Sequence, residues 1–190
     1  MARAMTTVQQ RNTIRFGSAK FEVGEDIDSL VDLGAMRGVE FEETWDEIQV
    51  NSDNAGVIMA GTQNHEAIIR GDLMEINLKN LALLRGGIDK LEEIAEGQDQ
   101  KAAIKLLSGG ISTFQPRVVK ITNYNEANEE FSITIFKATT AQGITIAFPG
   151  ADDEDPAMVP IEMKGTLDVE RNPGEQLFEI YDEQGVIPTP

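Results

Sequence analysis

Cysteine is absent from this 190-residue chain, which excludes disulfide scaffolds, thiol nucleophiles and cysteine-ligated zinc, and fits a reducing compartment. Histidine is nearly absent. With His65 alone, neither a two-histidine metal motif nor a Cys/His pair can form, so His65-Glu66 is not half of a zincin signature. A Ser/His/Asp triad would have to use His65, and no Gly-x-Ser-x-Gly elbow accompanies it; an ordinary surface residue is expected there. Long apolar runs are missing too. The longest is about four residues, as in Leu81–Leu84, against the ~20 a spanning helix needs, and Met1–Gln10 lacks the apolar stretch of a secretory signal. Positive charge is scarce: 16 Lys and Arg stand against 33 Asp and Glu, a formal charge of −17. That balance argues against a nucleic-acid clamp, which must concentrate cations against phosphate. The pairs Gly86-Gly87 and Gly109-Gly110 lack the Gly-Lys-Ser/Thr ending of a phosphate loop and read as helix caps. Aromatic residues make up only 6%, which disfavours the aromatic-lined cleft of a glycosidase, although 33 acids offer many carboxylate pairs.

What is present suits a folded protein. Hydrophobic residues at 41% and charged residues at 26% are near globular averages, and the length fits one domain. Residues 1–12 form an N-terminal arm, 13–182 a single domain and 183–190 a short tail. The arm is basic: Arg3, Arg11, Arg15 and Lys20 precede the first acid, Glu22. Period-two alternation then dominates, with Ile14, Phe16, Phe21 and Val23, and again Val39 and Phe41 against Glu40 and Glu42. Residues 40–61 make a long acidic excursion, read as a hairpin tipped at Asp53–Gly56. A strand over 67–76 gives way at Asn77 to helical spacing through Leu78, Leu81, Ala82 and Arg85, stopped by Gly86-Gly87. Residues 88–110 read as a helical insertion whose apolar face is Leu91, Ile94, Ala95, Ile104 and Leu107. Strands are expected over 117–123, 131–137, 144–148, 158–167 and 177–181, separated by turns at the spacing of a sandwich or barrel.

Two features could carry chemistry. Asp152-Asp153-Glu154-Asp155 could bind a hard cation but lacks the ligand pattern of an EF-hand, so a solvated acidic turn is the plainer reading. Trp45, the only tryptophan, lies in an acidic run with Ile48 and Val50 nearby, either as a core anchor or as an exposed interface anchor.

The order of the segments resembles the major tail tube proteins of long-tailed bacteriophages. The resemblance rests on FGSAKFEVG (16–24), LGAMRGVEFEE (33–43), SDNAG (52–56) and EAIIRGDLMEINLKNLALLRGG (66–87), then EDPAMVPIEMKGTLD (154–168) and GEQLFEIY (174–181). It implies a mainly β fold, a tail-tube-like β-sandwich with one short helix, whose inner barrel is completed by oligomerisation into homohexameric rings stacked as a tube. The implied role is a structural virion protein, not an enzyme, without cofactor or metal, that conducts DNA during ejection. Its implied partners are copies of itself, the tape-measure, tail-tip and tail-terminator proteins, and duplex DNA passing without tight binding, with no membrane. The implied location is the virion tail, and the host cytoplasm during assembly. On this reading 40–61 is the stacking element, with Trp45, Ile48, Val50, Ile58 and Met59 as anchors. Arg3, Arg11 and Arg15 are then electrostatic partners for Glu43 and Glu47. The alternative is a monomeric carbohydrate- or cation-binding β-sandwich module using Asp152–Asp155.

Overall fold

The computed structural model describes residues 15–97, 100–110, 113–150 and 156–183. In chain order these form β1 (Lys20–Gly24), β2 (Val31–Asp32), β3 (Met36–Ser52), β4 (Gly56–Leu73), α1 (Leu78–Leu84), β5 (Asp89–Ile94) and β6 (Ala103–Ser108). They continue through β7 (Arg117–Tyr124), β8 (Glu130–Thr140), β9 (Val159–Gly165) and β10 (Phe178–Asp182). The fold is mainly β with a single short α-helix among the described residues.

Eight strands join one antiparallel sheet in the order β2-β1-β7-β8-β9-β4-β3, and β10 also pairs with β8. Beyond β7, the far edge of β8 is shared: Phe131–Ile135 takes β10 and Ala138–Thr140 takes β9. Alternation explains the faces. Register brings Phe21 against Ile121, and Ile121 against Ile133, while Ile69 lies against Met163, so one face of the sheet is a continuous apolar row. These residues are buried, and each large aliphatic side chain taken from water contributes roughly 1.5–3 kcal/mol.

Helix α1 seals one side of that core with Leu81 and Leu84. Its start follows from Asn77, whose side chain accepts from the Lys79 amide at 2.9 Å, satisfying an otherwise orphaned donor. Its stop follows from Gly86 at φ +60, where a Cβ would sit 2.3 Å from the Gln115 carbonyl oxygen. Only glycine has both the conformation and the room.

Two expectations are corrected. The helical insertion over 88–110 is a second, two-stranded sheet, with Leu91 opposite Leu106 and Glu93 opposite Ile104. Glu, Lys, Leu and Ala suit helices in isolation, but here Leu106 packs on the core and Asp89 pairs with Arg85, and those tertiary contacts select the extended form. Residues 144–148 form no strand, only a bridge from Ala147 to Met158, because Gly143 and Pro149 bracket the segment and Phe148 faces solvent.

Candidate functional site

The β3–β4 hairpin outruns the sheet that carries it. β9 covers β4 only from Ile68 to Leu73, and β3 pairs with β4 alone. From Thr44 to Ser52 and from Gly56 to Glu66, therefore, the two strands have no ladder partner but each other among the described residues. The projection is on the order of 30 Å long at about 3.4 Å per residue.

Its tip is a short turn in which the Ser52 hydroxyl donates to Asn54 Oδ1 at 2.6 Å and Gly56 takes φ +71. Its root is fastened. His65 Nε2 lies 2.6 Å from Glu43 Oε1, and the imidazole meets Trp45 edge-on at 6.0 Å and Phe178 of β10 at 6.1 Å. Phe178 in turn meets Phe41 at 5.2 Å. Between root and tip the register shifts at Thr44/Asp46 and at Val50/Asn51, and Asn64 takes φ +51 opposite the first shift. Such bulges sharpen the local twist and re-aim side chains.

Residues 38–69 contain seven acids and no Lys or Arg. Among the described residues, cations from the body reach only the root. Arg70 donates from Nε to Glu162 Oε2 at 2.7 Å and also holds Glu42, and these bonds, Glu162 first, raise its already high pKa. Lys164 holds Glu66 at 2.8 Å. Among the described residues, Glu40, Asp46, Glu47 and Asp53 have no cation partner.

Apolar side chains share this arm. Trp45 is 53% exposed, Ile58 62% and Met59 66%, and Ile48, Val50 and Val57 are exposed as well. A lone two-stranded hairpin is marginally stable in water, and its open edges present unpaired backbone donors and acceptors. Large apolar side chains exposed on such a ribbon are surface of the kind that protein contact covers.

The sequence-selected residues distribute as follows. Trp45, Ile48, Val50, Ile58 and Met59 all lie on the arm and all face solvent. Glu43 is taken by His65, and Glu47 accepts from Gln49 Nε2 at 2.8 Å. Arg15 is engaged within its own chain: it donates to the Glu129 carbonyl at 3.0 Å, pairs with Asp182 at 2.6 Å and lies over Phe131. Arg3 and Arg11 lie outside the described residues, as does Asp152–Asp155. Sequence reasoning overlooked His65 as the clamp at the arm's root, because its proximity to Glu43 follows from hairpin register. Val57 was overlooked beside Ile58, although it belongs to the same apolar run. Among the described residues no group of three or more His, Asp or Glu is placed to hold a metal ion, and no helix is long and apolar enough to cross a membrane.

No family model matches the chain, and no curated protein matches its sequence. Two solved assemblies contain chains of similar form. One is the anti-feeding prophage cap (AFP tube terminating cap), at TM-score 0.45 and 13% identity over 96% of this chain and 96% of that one. The other is the anti-feeding prophage baseplate, at TM-score 0.41 and 11% identity over 84% of this chain and 92% of that one. At these scores neither likeness decides the fold or the role of this chain.

Proposed function

We propose that this chain is a structural subunit of a phage-type tail tube, assembling as homohexameric rings that stack into a hollow cylinder through which duplex DNA passes. The observation that carries the reading is the arm: a ribbon with two open edges and several exposed large apolar side chains finds its missing contacts on another copy of the chain. Contacts between unlike patches close into rings when the rotation closes and extend along an axis when it does not, and a tube uses both.

Charge fits the conduit. Six chains at −17 carry about −100 formal charges per ring, and the share that faces a bore repels phosphate. A basic lining would instead hold DNA by counterion release. In this role the subunit is not an enzyme and needs no cofactor. It meets tape-measure, tail-tip and tail-terminator proteins along the tube, and it resides in the virion tail after assembly in the host cytoplasm. Arg3 and Arg11 remain electrostatic partners for the arm's carboxylates on a neighbouring copy.

Deletion of Ile48–Ala60 tests the reading. The shortened chain is expected to fold and to form no tubes by electron microscopy; tube formation equal to that of the full chain would reject the arm's role.

A further inference from the structure

His65 is the single histidine of the chain and Trp45 the single tryptophan, and the fold brings their rings together at the arm's root. The root is where the arm parts from the body. β4 is laddered to β9 as far as Ile68; beyond that point β10 succeeds β9 along β8, and among the described residues no ladder joins β10 to β4. Side chains take over there. Phe178 of β10 meets the rings of Phe41 and His65 at 5.2 and 6.1 Å, while His65 Nε2 lies 2.6 Å from Glu43 Oε1. Glu43 thus orients the imidazole, and the imidazole meets the body at Phe178. The first register shift and the positive φ of Asn64 lie immediately beyond, so the ribbon changes twist just past this contact.

The groups around the imidazole come from three strands. From β3 they are Glu43 and Trp45; Asp46, the next acid along, accepts from Asn64 Nδ2 at 2.8 Å. From β4 the register puts Ala67 opposite Glu43, and from β10 comes Phe178, with Asp182 farther along that strand already paired with Arg15. The other ties of the root, Lys164 with Glu66 and Arg70 with Glu42, lie on the opposite face by strand alternation. They join residue types that ordinarily titrate well outside the range from about pH 5 to 8, whereas an imidazole ordinarily gains its charge within it. Neutral, His65 can donate to Glu43 from Nε2; protonated, it makes the same contact an ion pair as well. Both side chains are partly exposed, so protons exchange freely with solvent.

We propose that His65 is a proton-operated latch on the arm. When the imidazole is protonated, the ion pair with Glu43 fixes its ring against Trp45 on the arm and Phe178 on the body, and the root is held. When the proton leaves, the added attraction goes with it, and the arm gains angular freedom about the root. A held arm has less freedom left to lose when a partner covers it, so the latch sets how readily the arm docks. The device belongs to the single chain and holds whatever that partner is.

Nuclear magnetic resonance of the isotope-labelled full-length chain, at a concentration where sedimentation shows single molecules, tests the latch. The one indole N–H, that of Trp45, gives one resonance from the root. From about pH 8 down to pH 5 that resonance is expected to shift along a one-proton curve. Its heteronuclear NOE is expected to rise over the same step, marking an indole more ordered on the picosecond to nanosecond scale. In His65→Gln both changes are lost, with the fold intact by circular dichroism. In Glu43→Gln the resonance still shifts but the NOE no longer rises, a separation that a merely structural imidazole would not produce. An NOE equal at both ends of the range in the parent chain, or the same rise in His65→Gln, overturns the proposal. Either result leaves the self-assembly reading where it stands, since the measurement is made on single molecules.

Discussion

At the scale of single residues, the contacts that matter join elements distant in space. The Asp89 side chain is wholly buried, held by the Arg85 guanidinium, which also donates to Ser108 Oγ at 2.9 Å. The pair anchors the second hairpin to the C-terminal end of α1. Asp89→Ala would leave a largely buried cation without its partner, and the expected loss is about 3 kcal/mol of unfolding free energy in a urea titration. A lesser effect with a pH signature is expected at Glu130. A hydrogen bond from Lys120, the larger cause, and another from Ser132 hold its carboxyl below the ordinary carboxylate range. Since the folded state binds that proton more weakly than the unfolded chain, the contribution is complete above about pH 4.5 and is lost as pH falls through the folded-state value. Glu130→Gln is therefore expected to cost about 0.5–1 kcal/mol at pH 7 and nothing once both states are protonated, as read from parallel denaturation curves.

Elements divide into those that need the body and those that leave it. The arm belongs to the second group, so Trp45→Ala is expected to change monomer stability by no more than about 0.5–1 kcal/mol while weakening assembly at least tenfold, as for a large aromatic at an interface centre. Sedimentation and thermal melting of the same sample separate the two effects. Helix α1 belongs to the first group, and Asn77→Ala is expected to cost about 1 kcal/mol through the lost cap. Legibility in the sequence follows the same division. Residues 131–137 and 117–123 alternate because one face meets the apolar core, although Thr122, Ser132 and Thr134 on the other face are buried as well, and their strands are where the pattern puts them. The Asn77 cap and the Gly86 stop were equally plain. The arm's tip at Asp53–Gly56 was visible as turn chemistry, yet the full length of β3 and β4 was not, since Glu, Asp, Gln and Asn are poor strand formers on their own. Residues 88–110 misled because their apolar residues fall at helical spacing, whereas the contacts that select strands, Asp89 with Arg85 and Leu106 with the core, connect separate elements. Arg15 was chosen for its charge; its attachment to Asp182 depends on where β10 returns.

For the whole molecule, the open edges and the charge pull in opposite directions. Exposed ladder edges and the apolar arm favour association, while a net charge of −17 on each chain opposes it. Salt shifts that balance. Over the range from about 10 mM to 150 mM, where the screening length falls from roughly 30 to 8 Å, the concentration at which the chain assembles is expected to drop, as turbidity or sedimentation would register. At higher salt the repulsion is already screened, so the gain should level off. Such a profile distinguishes general repulsion relieved by salt from a contact that depends on attraction alone. Electron cryomicroscopy of the purified full-length chain at high concentration tests the central claim most directly. The account predicts hollow six-fold tubes in which every arm lies on a neighbouring copy; a uniform population of separate 20.8 kDa molecules at every concentration, with arms in solvent, would contradict it.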